Sequence, residues 1–197
     1  NNICYEQIKK LNKFNFLKYF KKIYTSEELG VEKPDIKTLY YILQENNIEI
    51  NDVAMIGDSF KNDIQCANLV SMYGFLFNNS NLKFNKTYCE FKNFKELYDF
   101  FNNYYIELNK FIKLSKYCGE RYDLVQAGGG NISFKLDNLM FIKSSGCILS
   151  DININKNYVC INKDYILENI IKINSLDKKT RETESKSIVK HSKIFLK

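Results

Sequence analysis

The sequence predicts an α/β chain in two parts, the first built on a parallel sheet and the second a smaller α/β region. Three observations lead there. Short apolar runs alternate with segments of helical periodicity, the pattern of βαβ units. Val53-Ala54-Met55-Ile56 is an unbroken apolar run that suits a strand covered on both faces, and it leads straight into Gly57-Asp58-Ser59. Beyond Asn102-Asn103 the pattern changes to a helix, a glycine cluster and several short strand candidates.

Taken in order, Cys4, Ile8 and Leu11 fall on one face of a short helix over about Tyr5 to Lys13. Phe16 to Phe20 is a compact aromatic turn, Lys22 to Thr25 a short strand candidate, and Ser26 to Glu32 a polar loop. Pro34 suits the first position of a helix whose apolar face is Ile36, Leu39, Tyr40 and Leu43. The Val53–Ile56 strand follows, then a helix from Lys61 to Leu69 and a strand over Met72 to Phe77. Tyr88 to Phe91 reads as an edge strand, and Phe94, Leu97, Tyr98 and Phe101 mark a helix that closes the first part. The second part opens on a helix from about Tyr105 to Tyr117. Strands are expected at Ile132–Leu136, Leu139–Lys143 and Tyr158–Asn162, with Asp137-Asn138 as the tight turn between the first two. Asp164 to Ile171 reads as helical. Asp177 to Lys193 is charged and poor in large apolar residues, so it is expected to be mobile.

The chain has 197 residues, enough for one large or two small domains, and 45% of them are hydrophobic. No apolar run reaches the length of a membrane span and the first residues do not form a signal peptide, so a cytoplasmic protein without a membrane partner is expected. The six cysteines stand singly with no CxxC pair, which argues for reduced thiols over staples or zinc ligands. A formal charge of +6 comes from lysines spread along the chain, a solvated surface with no nucleic-acid footprint.

Chemistry concentrates first at the Val53–Asp63 stretch. Gly57 lets the chain turn at the strand end, and Asp58 then sits at the carboxyl edge of the sheet, where open α/β folds place their ligands. Asp63 lies five residues on, at the start of the next helix. Two carboxylates at such a junction make a Mg²⁺ site plausible on chemical grounds. Lys33-Pro34, Thr25-Ser26-Glu27-Glu28, Gly30-Val31 and Gly57-Asp58-Ser59-Phe60-Lys61-Asn62-Asp63 together resemble the haloacid dehalogenase-like (HAD) hydrolase superfamily over about residues 1–101. The resemblance implies the C-terminal half of a Rossmann-like core and phosphoryl transfer through an aspartyl-phosphate. In that reading Lys33 is catalytic, neutralising charge beside the phosphoryl group, while Asp58 and Asp63 hold Mg²⁺. The chain contains no DxD, the motif that carries the family's nucleophile, and its numbering is expected to begin just after the family's second motif.

The second concentration is Gln126-Ala127-Gly128-Gly129-Gly130-Asn131-Ile132-Ser133, followed by Phe141-Ile142-Lys143-Ser144-Ser145-Gly146. It lacks the GxGxxG of a dinucleotide site and the Gly-Lys-Ser/Thr of a P-loop. Glycines allow close backbone approach and leave N–H groups free to face an anion, or they simply form a turn between helix and strand. These residues resemble the N-terminal part of the class II aldolase/adducin family over about residues 105–197. The resemblance implies a substrate-phosphate site at Asn131, Ser145 and Gly146, and a Zn²⁺ or other divalent metal held by three histidines. This chain has one histidine, His191, in a charged segment, so those ligands are expected outside it.

The two parts together point to a fragment of a bifunctional enzyme, a phosphatase joined to an aldolase-like domain, acting on small phosphorylated metabolites such as sugar phosphates. Self-association through the second part is expected to be possible. Two rivals remain: a non-catalytic, adducin-like binding or scaffold protein, and a phosphatase whose second part only forms oligomers. A doubly wound sheet lacking its first strands exposes apolar edges, so the segment alone is expected to fold poorly.

Overall fold

The computed structural model describes residues 4–85 and 87–194. The chain forms two compact units, Asn1–Leu76 and Phe77–Lys197. Among the described residues, no helix is long and apolar enough to cross a membrane.

In the first unit, α1 (Cys4–Lys13) leads through a 3-10 turn at Leu17–Tyr19 to the one-turn helix α2 (Ser26–Leu29). The expected strand at Lys22–Thr25 and the expected loop over 26–32 are both corrected here. Thr25 is buried and caps α2, its side chain accepting from the Glu28 N–H at 3.3 Å, and Gly30 ends the helix at φ 66°. Residues 22–25 form no strand ladder. Helix α3 (Lys37–Asn46) starts three residues after Pro34, which lies in a turn with a cis Lys33–Pro34 peptide bond. The Asp35 carboxylate accepts from the Lys37 N–H at 2.9 Å, so Asp35 and not Pro34 sets the helix start. Strand β1 (Ala54–Gly57) pairs in parallel with β2 (Tyr73–Phe77), and α4 (Gln65–Leu69) lies between them in the sequence. Leu39, Cys66, Ala67, Val70 and Met72 form the core, with Val53 and Met55 packed against it.

Two expectations fail at β1. Its residues alternate between exposed and half-buried, and Ile56 is 49% exposed, so the strand is not covered on both faces. Among the described residues β1 has a ladder partner on one side only. The helix expected from Lys61 begins instead as a π-helical turn at Phe60–Ile64.

In the second unit, β3 (Lys83–Phe84) and β4 (Tyr88–Phe91) form an antiparallel pair; β3 is absent from the sequence reading. Helix α5 (Phe94–Gly119) runs without a break through Asn102-Asn103. Leu97, Phe100, Tyr104, Leu108, Phe111 and Ser115 are buried at spacings of three or four, a single stripe that overrides the modest helix penalty of two asparagines. The hairpin β5 (Ser133–Leu136) and β6 (Leu139–Lys143) turns at Asp137, where φ is 50°, and joins β7 (Tyr158–Asn162) and β8 (Lys193–Ile194) in an antiparallel sheet of order β5-β6-β7-β8.

Asn162 caps α6 (Lys163–Asn174) by accepting from the Tyr165 N–H at 3.0 Å. The segment expected to be mobile is α7 (Lys178–Ser192), with Ile188 and Ser192 buried. Its order comes from local bonds more than from apolar area. Asp177 accepts from the N–H groups of Lys179 and Thr180, and Arg181 donates back to the carbonyls of Asn174 and Leu176. Hydrogen bonding to Thr180 holds the Asp177 carboxyl below its ordinary range.

All six cysteines are free thiols. Burial pushes the Cys89 thiol up to about 12 and raises that of Cys160 further still.

Candidate active site

The site is built where β1 ends. Ser59 caps the turn that follows, its hydroxyl accepting from the Asn62 N–H at 3.2 Å. The Asp63 N–H donates to the Ser59 carbonyl at 2.9 Å and the Ile64 N–H to the same carbonyl at 3.4 Å, which winds the chain as a π-turn. This curl brings the Asp63 side chain back over the strand end, where its Oδ2 accepts from the Ser59 N–H at 3.1 Å. Gly57 leaves the room. A Cβ there would stand 2.3 Å from the Asp63 carboxyl carbon, so no other residue fits without displacing Asp63.

Asp63 is buried, and its Oδ1 is paired with Lys33 Nζ, thirty residues away in sequence. The ion pair is asymmetric: the Asp63 side chain is 5% exposed and that of Lys33 33%. Asp58 directly follows β1 and is exposed. The structure thus brings Lys33 and Asp63 into contact and sets Asp58 at the same strand end. Lys33 also lines a cleft of about 430 Å³ with Tyr24, Thr25, Thr38 and Met55; Asp58 and Asp63 do not line it. Sequence reasoning missed the role of Ser59 and the reason for Gly57. The signal for Ser59 was present, a serine three residues before Asn62 at a strand-to-helix junction.

The donor set suits a small hard cation. Two carboxylates at one strand end are the usual protein share of a Mg²⁺ site, whose other positions water fills. Among the described residues, no group of three or more His, Cys, Asp or Glu side chains is arranged to hold a metal.

Residues 1–73 match the haloacid dehalogenase-like hydrolase family. Two solved structures are similar. The HAD phosphatase from Thermococcus onnurineus is 26% identical over 49% of this chain and 45% of its own, with a TM-score of 0.42. The HAD-hydrolase YfnB from Bacillus subtilis, described as bound to magnesium, is 28% identical over 52% of this chain and 45% of its own, with a TM-score of 0.46. The chain therefore spans less than half the length of either. No curated protein matches it. Lys33, Asp58 and Asp63 all lie within the matched residues 1–73.

The second candidate site stands on its own residues. The Lys143 N–H donates to the Ile132 carbonyl at 3.1 Å, which carries the β5–β6 register one step past the strands and brings Asn131 to the end of the hairpin where Ser145-Gly146 begins. Asn131, Ser145 and Gly146 are all exposed. Lys143 is itself buried, and its Nζ donates to the Cys147 carbonyl at 2.7 Å and the Ser144 carbonyl at 3.3 Å, bracing the loop from beneath. Gly130 has a packing reason: φ is 75°, and a Cβ would press on Leu149 and Val125 at 2.9 Å. Gly128 has none, since nothing lies within 4 Å of its Cβ position. The side chain of His191 lies outside the described residues.

Proposed function

We propose that the first unit contributes Lys33, Asp58 and Asp63 to a Mg²⁺-dependent phosphomonoesterase of the HAD type. The observation that supports this most is the Lys33–Asp63 pair at the end of β1 with Asp58 beside it. Lys33 Nζ places a positive charge where a phosphoryl group gains negative charge. Asp63, fixed by Lys33 and the Ser59 N–H, keeps that ammonium oriented and presents its remaining lone pairs. Asp58 is the exposed carboxylate able to take the cation directly. Bound Mg²⁺ supplies charge neutralisation at the phosphate oxygens. The substrates are small phosphorylated metabolites, and a cytoplasmic setting accords with six free thiols. The test titrates Mg²⁺ into the chain and follows the amide signals of residues 57–59. Asp58→Asn is expected to weaken binding about tenfold or more. Equal Mg²⁺ affinity in the two proteins would remove the reading.

A second reading rests on the hairpin end. We infer that Asn131, Ser145 and Gly146 hold the phosphate of a small phosphorylated sugar, the role that the class II aldolase/adducin resemblance implies. The braced loop and the open space at Gly128 and Gly146 favour it. A Zn²⁺ centre would need histidines this chain does not supply. Inorganic phosphate should shift the Gly146 amide, with Asn131→Ala and Ser145→Ala each weakening binding about tenfold. Saturation unchanged by both substitutions points instead to a scaffold or oligomer-forming part.

A further inference from the structure

The turn that follows α1 gathers positive charge and exposed rings on one short stretch. Residues 7–26 hold six lysines (Lys9, Lys10, Lys13, Lys18, Lys21 and Lys22) and no Asp or Glu. All six are exposed. Lys22 is paired with Glu45, and among the described residues the other five have no carboxylate partner. Between them Phe14, Phe16 and Tyr19 are 63%, 52% and 72% exposed. Their centroids stand 6.1 Å apart from Phe14 to Phe16 and 6.4 Å from Phe16 to Tyr19, so the rings form one continuous patch. Lys13 Nζ lies 5.7 Å from the centre of the Phe14 ring, and Lys18 Nζ 5.2 Å from that of Tyr19. These ring contacts are all made among residues 13–19. They leave roughly 350 Å² of aromatic surface in water, a size at which an exposed patch on a single chain is often functional.

We propose that this turn docks on an anionic lipid bilayer. Phe14, Phe16 and Tyr19 enter the boundary between headgroups and acyl chains, and the lysines around them meet the lipid phosphates and carboxylates. Charge complementarity selects an anionic partner. The rings select lipid over nucleic acid. Base stacking needs open ring faces. Here Lys13 and Lys18 are set over two of the three rings, and the ring planes meet at 34° and 62°. The stretch also has no arginine, whose planar fork reads a fixed phosphate in two bonds. A lysine ammonium is a point charge that suits a layer of mobile headgroups. A lysine beside a ring fits the boundary too, because its stem runs along the sinking ring while the ammonium stays in water.

The sequence alone predicts no membrane partner, because no apolar run is long enough to span a bilayer. A surface-bound turn needs no such run. It needs exposed apolar groups for depth and clustered positive charge for attraction. Neither suffices singly. Three rings bury too little to hold the chain on a neutral bilayer, and each lysine near an anionic surface is worth about fivefold in partitioning. Binding therefore requires both and weakens with salt. This inference does not depend on the phosphatase reading.

The test is co-sedimentation of the full chain with vesicles of phosphatidylcholine, alone or with about a third phosphatidylserine. Binding is expected to the mixed vesicles only, and should fall at least about tenfold between ~0.1 M and ~0.5 M salt. Lys13→Glu with Lys18→Glu, and separately Phe14→Ser with Phe16→Ser, should each weaken it at least about tenfold. All four residues are exposed, so far-UV circular dichroism of both variants should be unchanged. The second variant keeps every charge, so its loss reads the entry of the rings, which attraction by charge alone does not need. A labelled single-stranded oligonucleotide, offered together with the mixed vesicles, tests the other anionic partner. No binding to the mixed vesicles, equal binding to pure phosphatidylcholine, an unchanged affinity of the Phe14→Ser, Phe16→Ser variant, or preference for the oligonucleotide would overturn the proposal.

Discussion

Lys33→Ala is expected to destabilise the chain by about 3 kcal/mol, more than Asp63→Ala at about 2 kcal/mol. The order follows from which charge is left behind. The Asp63 side chain is 5% exposed, so removing Lys33 strands a buried carboxylate without its countercharge, still accepting from the Ser59 N–H. The Lys33 side chain is 33% exposed and can take up water when Asp63 is lost. What Asp63→Ala forfeits is the tie to Ser59 and the packing over Gly57. The double variant should lose clearly less than the sum of the singles, because the stranded charge is absent from it. Urea unfolding of the four proteins at neutral pH measures this. If the cost of Asp63→Ala equals or exceeds that of Lys33→Ala, the pair is not the buried, one-sided contact that its exposures describe.

The same residues show how much of the molecule the sequence carries. Asp58 and Asp63 were legible because an apolar run ending in Gly-Asp places a carboxylate at a strand end whatever surrounds it. Lys33 entered only through resemblance, since nothing local in Lys-Pro brings residue 33 against residue 63; that contact is tertiary. The expectation that β1 is covered on both faces failed because composition records what a strand can bury, not what layers stand beside it. Asn102-Asn103 misled for a different reason. A pair of polar residues looks like a boundary in a short window, yet the buried stripe from Leu97 to Ser115 passes through on the opposite face. The charged segment after Asp177 misled because its order rests on capping and backbone bonds that hydrophobic patterning does not register. The hairpin β5–β6 was legible to within one residue, because alternation and a tight turn act over neighbours alone.

Phe141→Ala should remove about 4 kcal/mol from the second unit. Phe141 is fully buried in the central strand of the β5-β6-β7 run. Its ring stacks on Phe134 with centroids 4.3 Å apart and planes 8° apart, and it meets Tyr104 of α5 at 5.2 Å and Tyr158 of β7 at 5.9 Å. One side chain therefore joins the hairpin, the next strand and the long helix. Truncation leaves a void that none of the three can fill without moving the others, so the loss exceeds simple transfer of a ring to water. Phe141→Leu keeps most of the volume and should lose under about 1.5 kcal/mol. The Ala variant should melt roughly 10 °C lower by circular dichroism, with near-ultraviolet tyrosine signal lost before helix content, because Tyr104 and Tyr158 lose their shared neighbour first. A shift no larger than that of the Leu variant would mean that α5 and the sheet are held together elsewhere, along Phe111 and Leu149, and that the aromatic cluster only fills space between them.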